Sequence, residues 1–173
     1  MARTWTARII AAALAGVLAL GTTSVAGPVD SPLPNLGVGT TTPVFYVPGV
    51  VKNNALETIF MCSNLDIEAV TLAVELFDAA GAGPLNNVED PTPDGRVTLP
   101  VGGAASITTG STVGFSEDEI INAATLIRSG TARIVATSPR IACTAFVTHD
   151  ALEPPSSMYA LEVVGRSKLQ AGN

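Results

Sequence analysis

Residues 70–76 read Val-Thr-Leu-Ala-Val-Glu-Leu, with Val70, Leu72, Val74 and Leu76 alternating with Thr71, Ala73 and Glu75. Side chains switch faces at every residue of a strand but recur every 3.6 residues on a helix, so this period predicts a half-buried strand: one face in a core, the other toward water. The same texture recurs along the chain. Strand-like runs occupy residues 44–51, 56–63, 97–101, 105–109, 131–137, 141–148 and 159–163, and Gly, Pro, Asn and Asp separate them. Pro48 cannot donate to a ladder, which predicts an edge strand or a bend for the first run. Asn64-Leu65-Asp66, Gly102-Gly103 and Ser138-Pro139-Arg140 are turn sequences short enough to make three hairpins. Residues 79–96 carry Gly81, Gly83, Pro84, Pro91, Pro93 and Gly95 and predict a long loop.

One segment departs from period two. Ser116 with Glu119 three residues on forms a capping box, Glu117, Asp118 and Glu119 suit the positive end of a helix dipole, and Ile120, Ala124 and Ile127 share a face. Arg128 and Gly130 suit a helix end. A short helix is therefore expected over residues 117–128, lying across an open end of the core. The predicted fold class is all-β: an antiparallel sandwich of about seven strands with one short helix.

Residues 1–26 have the features of an export signal. Arg3 and Arg8 precede an uninterrupted apolar run over residues 9–20, and Ser24-Val25-Ala26 offers small residues for cleavage after Ala26. The run is shorter than the roughly 20 residues that a membrane-crossing helix needs. The expected organisation is a cleaved signal at 1–26, a flexible Pro/Gly/Thr arm at 27–42, a single domain at 43–165 and a polar tail at 166–173. Such a chain would be periplasmic or extracellular. Cleavage would remove two arginines from a chain of net charge −6, leaving an acidic protein without a Lys/Arg cluster. That composition argues against nucleic acid and anionic lipid as partners. No cysteine follows the cleavage site to take a lipid, and no membrane anchor is expected.

Two cysteines remain, Cys62 and Cys143, and an exported chain would oxidise them. Cys62 is in phase with Leu56 and Phe60, and Cys143 with Ile141, Ala145 and Val147, so both side chains are expected to face one interior and to form a disulfide stapling two facing layers.

Residues 57–64 (ETIFMCSN), 74–81 (VELFDAAG) and 98–110 (TLPVGGAASITTG) resemble immunoglobulin-like modules of bacterial surface and exported proteins. In those modules a strand ending in Asn is followed by one ending Phe-Asp-x-x-Gly and then by a Leu-Pro-x-Gly hairpin. With residues 130–138 (GTARIVATS) and 141–150 (IACTAFVTHD), the chain is similar to small exported bacterial proteins of unassigned activity, over roughly residues 57–150. The resemblance implies an immunoglobulin-like β-sandwich and carries over no catalytic residue, because architecture does not dictate chemistry.

Catalytic and metal constellations are sparse. His149 is the single histidine, there is no Gly-x-Ser-x-Gly elbow, and Asp150 would alternate to the opposite face. Met61 beside Cys62 points the other way along its strand and makes no copper cluster. Glu89, Asp90 and Asp94, with Asn86 and Asn87, supply oxygens that could hold calcium, although their spacing is not that of an EF-hand. Glu117, Asp118 and Glu119 are already explained as capping residues. Trp5 leaves with the signal, and Tyr46 and Tyr159 with five phenylalanines make a poor sugar platform. The leading expectation is an exported, non-enzymatic β-sandwich with a structural or protein-interaction role, bound to an unidentified protein or envelope component and needing no cofactor. The alternatives are a calcium- or ligand-binding module built on the acidic loop 86–94 and, more remotely, a hydrolase.

Overall fold

The computed structural model describes residues 27–89, 91–110, 117–123, 125–149 and 157–170; the predicted signal and Asp90 lie outside them. The chain is all-β. In order it forms β1 (Thr42–Lys52), β2 (Leu56–Asn64), β3 (Val70–Phe77), β4 (Arg96–Leu99), β5 (Ala104–Thr108), β6 (Glu119–Ile120), β7 (Ile127–Ala136), β8 (Ile141–His149), β9 (Met158–Leu161), β10 (Val164–Gly165) and the single-turn α1 (Arg166–Gln170). The expected polar tail thus begins with a helical turn.

Among the described residues the ten strands belong to one sheet with the path β4-β3-β7-β1-β2-β5-β6; β10 adds to β1, while β8 adds to β2 and carries β9. The sheet is nearly closed into a barrel. Its two ends approach where a carboxylate oxygen of Glu119, in β6, accepts the N–H of Gly95 just ahead of β4 at 3.0 Å. The path folds into two halves joined by the single pair Lys52↔Glu57 between β1 and β2. One half is β4-β3-β7-β1 with β10; the other is β6-β5-β2-β8-β9. Val47, Phe60, Leu72, Val74, Ile107 and Ile134, drawn from strands of both halves, belong to one core at no more than 1% exposure. Each such side chain contributes about 1.5–3 kcal/mol on leaving water.

The strand positions agree with the periodicity, but the pairing corrects it. Among the described residues, β2 does not pair with β3, nor β4 with β5, nor β7 with β8. Each of the three expected hairpins is instead a step from one half to the other. Asn64 shows how such a step is held. Its side-chain amide donates to the carbonyls of Glu68 (2.8 Å), Leu99 (3.2 Å) and Pro100 (3.0 Å), tying the β2–β3 turn to the β4–β5 turn. Pro48 sits opposite Thr131 at a register shift inside the long β1–β7 ladder and marks a bend; on the other side of β1 the described pairings reach only Phe45, Tyr46 and Lys52.

Among the described residues of the expected helix 117–128 there is no helix; Ser116 and Ala124, on which that expectation also drew, lie outside the described residues. Asp118 and Glu119 serve backbone N–H groups elsewhere: Asp118 accepts from the N–H of Ser106 (2.8 Å) and Glu119 from Gly95. The N–H of Ile121 donates to the carbonyl of Thr108 (2.7 Å), and β7 already begins at Ile127. Three isoleucines in the segment favour extended backbone, and strand partners were at hand. Lys52 then closes the end of the body, its Nζ donating to the carbonyls of Ile121 (3.0 Å) and Ala123 (2.6 Å). Burial holds that amine below its ordinary value, with the Asp94 charge opposing.

The disulfide is present between Cys62 and Cys143 but, unlike the expected staple across two facing layers, it joins neighbouring strands. The two residues are directly opposite each other on neighbouring strands β2 and β8, with Cα atoms 4.2 Å apart. Both face the interior as expected, Cys62 within the core and Cys143 packed against it.

Candidate functional site

Every position of β3 is buried, which the expectation of a water-washed outer face did not allow. Val70, Leu72, Val74 and Leu76 face the core between the halves. On the opposite face Ala73 pairs in register with Val135 of β7, and Leu36 and Val88 pack over them. The cover comes from two sources, the segment preceding β1 and the β3–β4 loop. Residues 27–36, the first part of the segment 27–42 expected as a flexible arm, thus lie against the sheet.

What ties them there is Arg133. It stands directly opposite Glu75 in the β3–β7 ladder, both side chains on the outer face. Its Nε donates to Glu75 Oε2 at 2.7 Å, with the two side chains only 1% and 2% exposed. Three of the four remaining guanidinium hydrogens go to main chain of the arm: Nη1 donates to the carbonyls of Pro28 (3.1 Å) and Ser31 (2.7 Å), and Nη2 to that of Pro32 (2.8 Å). The cation also lies over the Phe77 ring, 5.5 Å from its centroid. Burial pushes the Glu75 carboxyl above its ordinary value; the Arg133 hydrogen bond and charge pull it back part of the way, and the Glu89 charge adds to the rise. The pattern that could have revealed this pair is one charge of each sign, placed mid-strand in two apolar runs.

The acidic loop is organised by Asn86. Its Oδ1 accepts the N–H of Leu76 (2.9 Å), and its Nδ2 donates to the carbonyls of Val74 (2.9 Å) and Asp94 (2.8 Å). One side-chain amide thereby continues the β3 ladder where β4 has ended. We expect Asn86→Ala to cost about 2–3 kcal/mol, since it leaves three backbone groups to find new partners. Urea denaturation checks this, and a change below about 0.5 kcal/mol would contradict the role.

Of the calcium candidates, Glu89 accepts the N–H of Asn35 in the arm (2.6 Å), while Asp94 accepts the N–H of Asn122 (2.8 Å). Asp90 lies outside the described residues. Each described carboxylate is thus directed to a different backbone donor, and among the described residues no three His, Cys, Asp or Glu side chains gather into a cation-sized group. Between loop and arm lies a groove of about 240 Å³, with Pro32, Pro34, Pro84 and Glu89 on its walls. His149 is the last residue of β8 and partly exposed; Asp150, considered beside it, is outside the described residues. Tyr46 is buried and Tyr159 is 66% exposed on β9, so the two do not make one platform.

A second feature lies where three turns meet. The N–H of Leu65 donates to the carbonyl of Arg140 (2.9 Å), and Asn64 already ties this turn to residues 99–100. Leu65, Ile67 and Val101 project from this end at 64%, 79% and 61% exposure. Beside them Asp66 accepts hydrogen bonds from the Ser138 hydroxyl and from the N–H of Ile67, and faces Arg140 at 3.8 Å. The Ser138 hydroxyl first, then the Ile67 N–H and the Arg140 charge, hold this carboxyl below its ordinary value, with partial burial opposing. A depressed carboxyl stabilises the fold at neutral pH, and that contribution is lost as pH falls from the ordinary value of roughly 3.9 through the lowered one. We expect Ser138→Ala to raise the Asp66 titration midpoint toward the ordinary value in a carboxyl-carbon NMR titration. An unmoved midpoint would rule out the hydroxyl as the main cause.

No protein-family model matches the chain, nor does any curated protein or solved structure.

Proposed function

We propose that this chain is an exported, non-enzymatic β-domain, periplasmic or released, whose role is structural or protein-binding, and that its two halves are the layers of an immunoglobulin-like sandwich. The observation carrying the binding role is the apolar tip formed by Leu65, Ile67 and Val101. Three large apolar side chains stay in water on turns that the Asn64 amide holds together, with Asp66, Glu68 and Arg140 alongside. An apolar centre with a polar rim is the composition of a protein-binding patch. The Cys62–Cys143 disulfide is compatible with an oxidising compartment. The three-turn end corresponds to the place where sandwich domains present variable loops to partners.

The test is covalent capture from envelope extract with the purified chain, run beside Ile67→Asp and Val101→Asp. The wild-type chain should retain a distinct protein that both variants lose. Capture of nothing, or of the same protein by wild type and variants alike, would sink this reading.

A further inference from the structure

The Arg133 site reads main chain. Three of its hydrogen bonds go to backbone carbonyls of residues 28, 31 and 32, and the Glu89 carboxylate receives a backbone N–H from residue 35. The guanidinium is itself fully buried. Among the apolar side chains of the arm, Leu36 packs against Ala73, Val88 and Val135, and Pro34 is also buried. Pro28, Pro32 and Pro34 lack N–H donors and have φ fixed by their rings, and the Ser31 N–H donates back to the Gly27 carbonyl at 2.9 Å in a turn, so the segment meets a site offering mostly donors with little entropy left to lose. The site is therefore an acceptor for a proline-containing segment that opens with a turn at residues 27–31, which the chain fills with its own arm.

We propose that this site also takes the arm of a second copy of the chain, giving a reciprocal dimer in which residues 27–36 are exchanged. The occupant is fixed by the fit just described: a second copy brings the same carbonyls and the same leucine. The tether is suited to the exchange. Residues 37–40 are exposed, and Gly37 and Gly39 take positive φ of 80° and 60° where the chain turns back into β1. Each arm keeps every contact it had in the monomer, so tether strain and protein concentration set the balance between the two forms.

Deleting Val38 and Gly39 shortens the tether and should disfavour folding back onto the same copy. Native mass spectrometry of the purified chain should then show monomer giving way to dimer, and Arg133→Ala in the shortened chain should restore the monomer. A folded, oxidised shortened chain that stays monomeric overturns the proposal, and so does a dimer that withstands Arg133→Ala. If either variant fails to fold, the wild-type chain decides. Isotope-labelled and unlabelled copies are mixed at high concentration in mild urea and returned to buffer. Contacts between Arg133 of one copy and residues 28–32 of the other, seen by isotope-filtered NMR, support exchange, and their absence overturns it.

Discussion

Replacing Arg133 with Ala should destabilise the protein by about 3–5 kcal/mol, a large fraction of what a domain of this size has to lose. The substitution leaves the Glu75 carboxylate buried without its partner and withdraws the donors to the carbonyls of Pro28, Ser31 and Pro32. The penalty should depend on pH with a definite sign. Burial already raises the Glu75 carboxyl above its ordinary value, and loss of Arg133 removes both influences that pull it down. In the variant the folded state therefore binds this proton more tightly than the unfolded chain does. Its stability falls as pH rises through the window above the ordinary carboxylate value of roughly 4.3, and the gap to wild type narrows on acidification. A double variant, Arg133→Met with Glu75→Leu, removes the stranded charge but not the unmet carbonyls, and should recover only part of the loss. Urea denaturation at several pH values measures all three chains. A pH-independent penalty, or one below about 1 kcal/mol, would contradict a buried charge pair at this position.

Loss of the disulfide should cost about 4.5 kcal/mol, because the bond closes a loop with a sequence separation of 81 and removes that freedom from the unfolded chain. The double variant Cys62→Ala/Cys143→Ala measures it by denaturation against the oxidised parent. The two cysteines sit on strands already paired in register from Leu56↔His149 to Asn64↔Ile141, so the bond reinforces an existing ladder rather than holding two layers together. The variant should therefore keep its β circular-dichroism spectrum while its denaturation midpoint drops. Collapse of the spectrum under native conditions would mean that the bond supports more of the fold than one ladder.

Both predictions concern features that the sequence showed only in part. Period-two alternation located the strands, because side-chain phase is a local property that survives without knowledge of the partner. Pairing was not local. Asn64-Leu65-Asp66, Gly102-Gly103 and Ser138-Pro139-Arg140 each reverse the chain, but turn chemistry does not say whether the next strand lies beside its predecessor or faces it across a core. The cysteine phase likewise placed both sulfurs inward without saying that their strands were neighbours. Residues 117–128 carried helix signals that were outcompeted when Asp118 and Glu119 found backbone donors on Ser106 and Gly95. Glu75 looked like a water-facing residue because its cover comes from residues far along the chain, the 27–36 segment and the 84–89 loop. The apolar tip was hidden for the same reason. Leu65 and Ile67 belong to one turn and Val101 to another, and only the crossing topology brings the two together.

The account rests on residues 27–36 being part of the folded body through Arg133, and NMR of the guanidinium tests that most directly. The Nε–H and Nη–H protons of Arg133 should exchange slowly with solvent and show nuclear Overhauser contacts to the α-protons of Pro28, Ser31 and Pro32. Rapidly exchanging guanidinium protons with no contact to those three residues would contradict it.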